Sequence, residues 1–91
     1  METWHVYILR CGDGTLYTGV AKDLAKRVEA HQNGNGAKYT RGRLPVKLVY
    51  RERRRPKGRA LRREAEIKRW SKERKEALVC KERRFPQGET D

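Results

Sequence analysis

Apolar residues are scarce in this chain, at 35% of the total against 40% charged. No stretch approaches the ~18 consecutive apolar residues of a membrane span, and no amphipathic segment has the bulky hydrophobic face that lies in a lipid interface. Membrane partners are therefore set aside. Cysteine is nearly as rare. Cys11, Cys80 and two histidines, none closely paired, exclude a structural zinc site of the usual spacing. The two thiols make one disulfide or none. No positively charged pre-sequence stands ahead of an apolar stretch, so a cytoplasmic setting with reduced thiols is expected. Negative charge is the third shortage: 12 Asp and Glu stand against 24 Lys and Arg, a net charge of +12. A field of that sign favours polyanions, and counterion release from nucleic acid supplies affinity that does not depend on base sequence.

What apolar residues there are fall in periodic clusters, so the chain reads as folded rather than disordered. Its 91 residues make one domain, expected over residues 1–80, with 81–91 as a flexible basic and polar tail containing Pro86 and Gly88. A chain of this size buries only about 60–65% of its unfolded surface. Its core must be compact.

Residues 4–10 are apolar on both sides, Trp4, Val6 and Ile8 on one and Tyr7 and Leu9 on the other, as in a central strand. Gly12-Asp13-Gly14 signals a turn, and Thr15 to Val20 returns as a second strand. Asp23 caps a helix whose buried stripe is Leu24, Ala25 and Val28, and Gly34 stops it. A basic loop, Lys38 to Arg43, leads to Pro45 and a third strand, Val46 to Tyr50. Residues 51–59 read as a charged loop, followed by a helix from about Arg59 to Trp70. Ser71 caps a last helix ending near Leu78 or Val79. The order β-β-α-β-α-α predicts an α/β fold with a small, mostly antiparallel three-stranded sheet flanked by helices.

Three groups of residues suit chemistry. Tyr7 and Tyr17 present phenols from one hairpin, on the same face only if the loop between the strands has an odd number of residues. Arg27 and His31, four apart, share a helix face, and a guanidinium clamps phosphate well. Glu64 shares a helical face with Ala60, Leu61 and Ile67, so a carboxylate borders the interior. Such a carboxylate needs a cation or donors, and its oxygen suits Mg²⁺. The plainer reading makes Glu64 a surface residue paired with Arg63 or Lys68.

In that order, His5-Val6-Tyr7, Tyr17-Thr18-Gly19, Arg27, His31 and Glu64 resemble the GIY-YIG nuclease domain. The resemblance is closest to short stand-alone bacterial members, through Leu9-Arg10-Cys11, the stretch Gly36 to Gly42, and Ala60 to Glu64, and runs from Trp4 to Val79. His5 and Thr18 replace residues that vary in the family. Val20 stands where many members have a basic residue, a role Lys22 takes from two positions on.

The resemblance implies a Mg²⁺-dependent (or Mn²⁺-dependent) DNA endonuclease, with DNA repair as its setting. Glu64 would be the metal ligand, Tyr17 the general base helped by Tyr7 or His31, and Arg27 the phosphate clamp. A phenol serving as base needs cations nearby. Lys22, Lys38, Tyr39, Arg41 and Arg43 are the expected backbone contacts. Branched or flapped DNA is included among the substrates, RNA is left open, and the protein is expected as a monomer or weak dimer. The alternative is a non-catalytic nucleic-acid-binding module of the same fold. Either way Tyr7, Tyr17, Arg27 and Glu64 should line one concave, positively charged surface.

Overall fold

The fold is taken from a computed structural model that describes residues 2–83. Strand β1 (Trp4–Arg10) occupies the middle of a three-stranded antiparallel sheet ordered β2-β1-β3, with β2 at Leu16–Ala21 and β3 at Lys47–Arg54. Its doubly apolar sequence explains that position: Val6, Tyr7, Ile8 and Leu9 are all buried, alternately on the two sides.

Helix α1 (Leu24–Gln32) covers the Tyr7 and Leu9 face, where Ala21, Leu24 and Val46 complete one apolar layer. Helices α3 (Lys57–Lys68) and α4 (Lys72–Arg83) cover the other face, where Ala60, Ile67 and Val79 meet Val6 and Ile8. Trp4 and Trp70 pack at the border of this second layer. The expected order is the observed one, with a single helical turn, α2 (Lys38–Arg41), inside the loop before β3.

The hairpin loop decides where the phenols go. Cys11 to Thr15 form a five-residue connection closed by a Cys11 N–H bond to the Thr15 carbonyl at 2.8 Å. Gly14 supplies the positive φ of 87° that the turn needs, and the Asp13 carboxylate accepts from the Thr15 amide and hydroxyl. Leu9 consequently faces Tyr17, and Tyr7 faces Gly19, so both phenols share the α1 face.

Several boundaries differ from expectation. Strand β2 starts and ends one residue later. The charged run does not form a loop from residue 51 onward: β3 continues to Arg54, because it is an edge strand that pairs with β1 as far as Trp4 opposite Arg54. Helix α3 begins at Lys57 and ends at Lys68, two residues ahead of the expected span at each end. Only Ala60 and Ile67 of its expected stripe are buried, and Leu61 is 45% exposed. In α1, Leu24 and His31 are buried but Ala25 is exposed. The Asp23 cap is present, accepting from the Lys26 amide at 3.1 Å, and Ser71 caps α4 through the Arg74 amide at 3.2 Å. That last helix runs on to Arg83 rather than stopping near Val79, into the span expected as a tail, and the rest of that span, residues 84–91, lies outside the described part. Cys11 is buried, Cys80 is exposed, and both are free thiols.

Candidate active site

His31, in the last turn of α1, points into the sheet and is fully buried. Its Nε2 lies 2.9 Å from the Tyr7 hydroxyl, and its Nδ1 lies 2.8 Å from Thr40 Oγ1. Thr40, on α2, donates to the Ala37 carbonyl at 2.9 Å. Two patterns of hydrogens fit the chain: the phenol donates to Nε2 and Nδ1–H to Thr40, or Nε2–H donates to the phenol and Nδ1 accepts, as it does from the Ala37 N–H at 3.4 Å. Burial pushes the Tyr7 phenol well above its ordinary value, Tyr17 and Glu64 push it the same way, and Arg27 opposes them. Burial, then the charge of Arg27, holds the His31 imidazole below its ordinary value. Tyr7 and His31 are therefore both neutral at neutral pH.

Two glycines make room for this chain. A Cβ at Gly19 would stand 2.5 Å from the Tyr7 oxygen and 2.6 Å from its ring carbon, and one at Gly36 would collide with the His31 ring. Both strand β2 and the loop after α1 thus lay bare backbone against the pair.

Tyr17 is the less buried phenol. Its ring centroid is 6.4 Å from that of Tyr7 and 5.3 Å from that of His31. Tyr39 of α2 stacks on its other side at 5.9 Å with the rings 26° apart, and the Arg43 guanidinium covers Tyr39 at 3.9 Å. From α3, the Lys68 ammonium lies 5.9 Å from the centre of the Tyr17 ring and 3.3 Å from the Glu64 carboxylate. The Glu64 side chain is 19% exposed. Side chains of the two helical layers therefore meet at Tyr17, on the edge strand β2. Arg27 is exposed on α1, close enough for its charge to act on both Tyr7 and His31.

Tyr7, Tyr17, His31 and Tyr39 accordingly form one aromatic group, with Arg27 and Glu64 beside it. The remaining expected contacts divide. Lys38 and Arg41 are exposed on α2. Arg43 is committed to the fold, donating to Asp13 at 3.0 Å and to the Tyr39 carbonyl at 2.8 Å. Lys22 pairs with Glu2. Glu64 pairs with Lys68, while Arg63 turns to Glu52 and Glu66. Sequence reasoning missed Thr40, Gly19 and Gly36 as parts of the site. Thr40 stands in the Gly36 to Gly42 stretch, whose length of small and polar residues was the available signal.

The donor set was tested against a divalent cation. Among the described residues no group of three or more His, Cys, Asp or Glu side chains could hold a metal. Beside the tyrosines Glu64 offers a largely buried carboxylate, and Lys68 is its ion-pair partner. One hard oxygen ligand with water and substrate completing the shell is an arrangement Mg²⁺ accepts, whereas zinc or calcium would demand more protein ligands. The residues fit the ion on those terms.

Comparison with known proteins agrees with the geometry. Residues 3–77 match the model of the GIY-YIG catalytic domain. A UPF0213 protein of Staphylococcus saprophyticus is 52% identical over 79 residues, covering 87% of this chain and 96% of that protein. UPF0213 proteins of Staphylococcus aureus reach 53% over the same shares. Two solution NMR structures are similar. The UPF0213 protein BH0048 from Bacillus halodurans is 46% identical with a TM-score of 0.57, over 86% of this chain and 83% of that one. The protein EF2693 from E. faecalis is 28% identical with a TM-score of 0.62, over 96% and 93%.

Proposed function

The chain belongs to the GIY-YIG catalytic domain family, and on that premise we propose that it is a Mg²⁺-dependent endonuclease that hydrolyses phosphodiester bonds in DNA. The observation that carries this reading is the meeting of Tyr17, the Tyr7–His31 pair, Lys68 and Glu64 at one strand edge.

In this reading Tyr17 takes the proton of the attacking water, since of the two hairpin phenols it is the one that keeps solvent access. Tyr7 and His31, both buried, act as positioning residues: their hydrogen-bonded chain to Thr40 fixes the wall against which Tyr17 sits. Arg27 binds a non-bridging phosphate oxygen and stabilises charge that grows as the phosphorus becomes five-coordinate. Lys68 adds a second cation beside Tyr17. Glu64 would hold Mg²⁺ (or Mn²⁺), which when bound polarises a phosphate oxygen and neutralises the leaving oxygen. Lys38, Tyr39 and Arg41 extend the contact along the backbone. Branched or flapped DNA is included among the substrates, and the work is done in the cytoplasm. No helix among the described residues is long and apolar enough to cross a membrane.

The test is cleavage of supercoiled and branched DNA with Mg²⁺ or with EDTA, wild type beside Glu64→Gln. Wild type should nick only with the metal. The variant should lose at least ~10²-fold in rate, the scale for removing one group that stabilises developing charge, while keeping its affinity. The Glu64–Lys68 ion pair favours a second reading, a non-catalytic nucleic-acid binder, because it already satisfies the carboxylate. That reading holds if wild type binds DNA yet shows no metal-dependent nicking.

A further inference from the structure

The flank of α3 turned away from Glu64 carries a second basic surface. Arg54 of β3, Arg59, Arg62 and Arg63 of α3, and Arg69 at the cap just past its end line a groove of about 810 Å³, with Ala65 and Glu66 as its remaining walls. At about 100° per residue, Arg59, Arg62, Arg63, Glu66 and Arg69 lie to one side of the buried Ala60 and Ile67, and Glu64 and Lys68 to the other. The groove is thus separate from the tyrosine site.

Its guanidiniums are not equivalent. Arg63 forms the floor: it pairs with Glu52 and Glu66, each at 2.9 Å, and lies 5.2 Å from the centre of the Trp70 ring. Arg54 also pairs with Glu52 at 2.9 Å. Arg59, Arg62 and Arg69 are exposed, and no carboxylate among the described residues forms an ion pair with them. Arg54 and Arg63 are thus compensated by Glu52 and Glu66, and the three remaining cations repel one another along the groove. A polyanion of regular charge spacing removes that repulsion. Arg59 to Arg69 spans about 15 Å along the helix, a length over which duplex DNA presents several phosphates.

We propose that this groove binds the phosphate backbone of nucleic acid, as a second contact surface beyond the strand-edge site. It rests on the reading of the protein as one that acts on nucleic acid, and it does not require turnover. Arg63 holds the groove's shape while Arg59, Arg62 and Arg69 contact phosphates. Recognition is by charge and spacing, without base readout.

The experiment measures equilibrium binding to a linear DNA duplex across a series of NaCl concentrations, in EDTA and on the Glu64→Gln background. Catalysis then cannot influence the result, and the cleavage assay above judges the catalytic reading separately. One protein carries Arg59→Gln, Arg62→Gln and Arg69→Gln. A control carries Lys47→Gln, Lys72→Gln and Lys75→Gln; Glu64→Gln raises the wild-type +12 to +13, so both triple variants fall from +13 to +10 in net charge. Losing three phosphate contacts should reduce the slope of log K against log salt by about 2.7. The arginine variant should show that reduction and the control should keep the parent slope. An equal reduction in both, or none in the arginine variant, overturns the proposal, as does failure of the parent to bind the duplex. Circular dichroism confirms that both variants are folded before binding is compared.

Discussion

Tyr7 and Tyr17 are the same residue type on paired strands of one face, yet their surroundings ask different things of them. Tyr7 is 1% exposed, neutral, and hydrogen-bonded to His31. Tyr17 is half-buried among Tyr39, His31 and Lys68. Tyr17→Phe should therefore cut the cleavage rate by about 10²–10⁴-fold, the usual range for a lost general base, with little effect on stability. Tyr7→Phe should do the reverse in emphasis: it leaves the buried His31 Nε2 without a partner and costs about 1–3 kcal/mol. Urea unfolding and single-turnover cleavage on the same two variants check both statements. If Tyr7→Phe loses rate as steeply as Tyr17→Phe while staying fully stable, the roles are exchanged. The sequence made the pair visible, since an odd loop length puts both phenols on one face. Only the family resemblance ranked them, with Tyr17 as base; strand pattern did not, because their difference comes from Thr40 and Gly36, which fold back over His31 from beyond the helix end.

At the scale of elements, α3 matters most, because its two flanks carry Glu64 and the arginine groove. Its seat on the sheet is held by apolar contacts through Ala60 and Ile67 and by one carboxylate of β3. The Glu52 side chain is 10% exposed and accepts from Arg63 at 2.9 Å, from Arg54, and from the Tyr50 hydroxyl. Burial first, and then Glu52, push the Tyr50 phenol up to about 12. Glu52→Gln removes the charge that three donors share. Because Arg54 and Arg63 keep partial access to water, the expected loss is about 2 kcal/mol, below the ~3–5 kcal/mol of a fully buried pair. Denaturant midpoints measure it, and a loss under about 0.5 kcal/mol would mark the contact as an ordinary surface pair. This clasp explains why β3 was hard to delimit. Arg51, Glu52, Arg53 and Arg54 carry no alternating apolar signal, and only pairing with β1 from the far end of the sequence makes them a strand. Helix α2 was hidden for a different reason, since four residues make barely one turn and leave no period to read. The central strand, by contrast, declared itself through apolar residues on both faces.

For the molecule as a whole, an excess of 24 cationic over 12 anionic side chains sets two salt effects against each other. In the free protein, like-charge repulsion works against the compact state, and added salt screens it within a Debye length of about 10 Å at 0.1 M. The internal ion pairs weaken too, but most are partly exposed, as Lys22–Glu2 and Arg43–Asp13 are, and contribute little each. Repulsion therefore dominates, and the Tm of the free protein should rise between about 50 and 300 mM NaCl. Bound to DNA, the protein gains RT ln(1 + [L]/Kd) of stability, and that gain shrinks as salt weakens the phosphate contacts. With six or more contacts the affinity falls by at least ~10³ between 50 and 200 mM. Thermal unfolding with and without a DNA duplex should thus give two curves, far apart at low salt, that converge as NaCl increases. The free-protein curve climbs and the bound curve drops toward it. A free-protein Tm that falls with salt would mean that attractive pairs outweigh the net charge. Parallel curves would mean that DNA is not held through its phosphates.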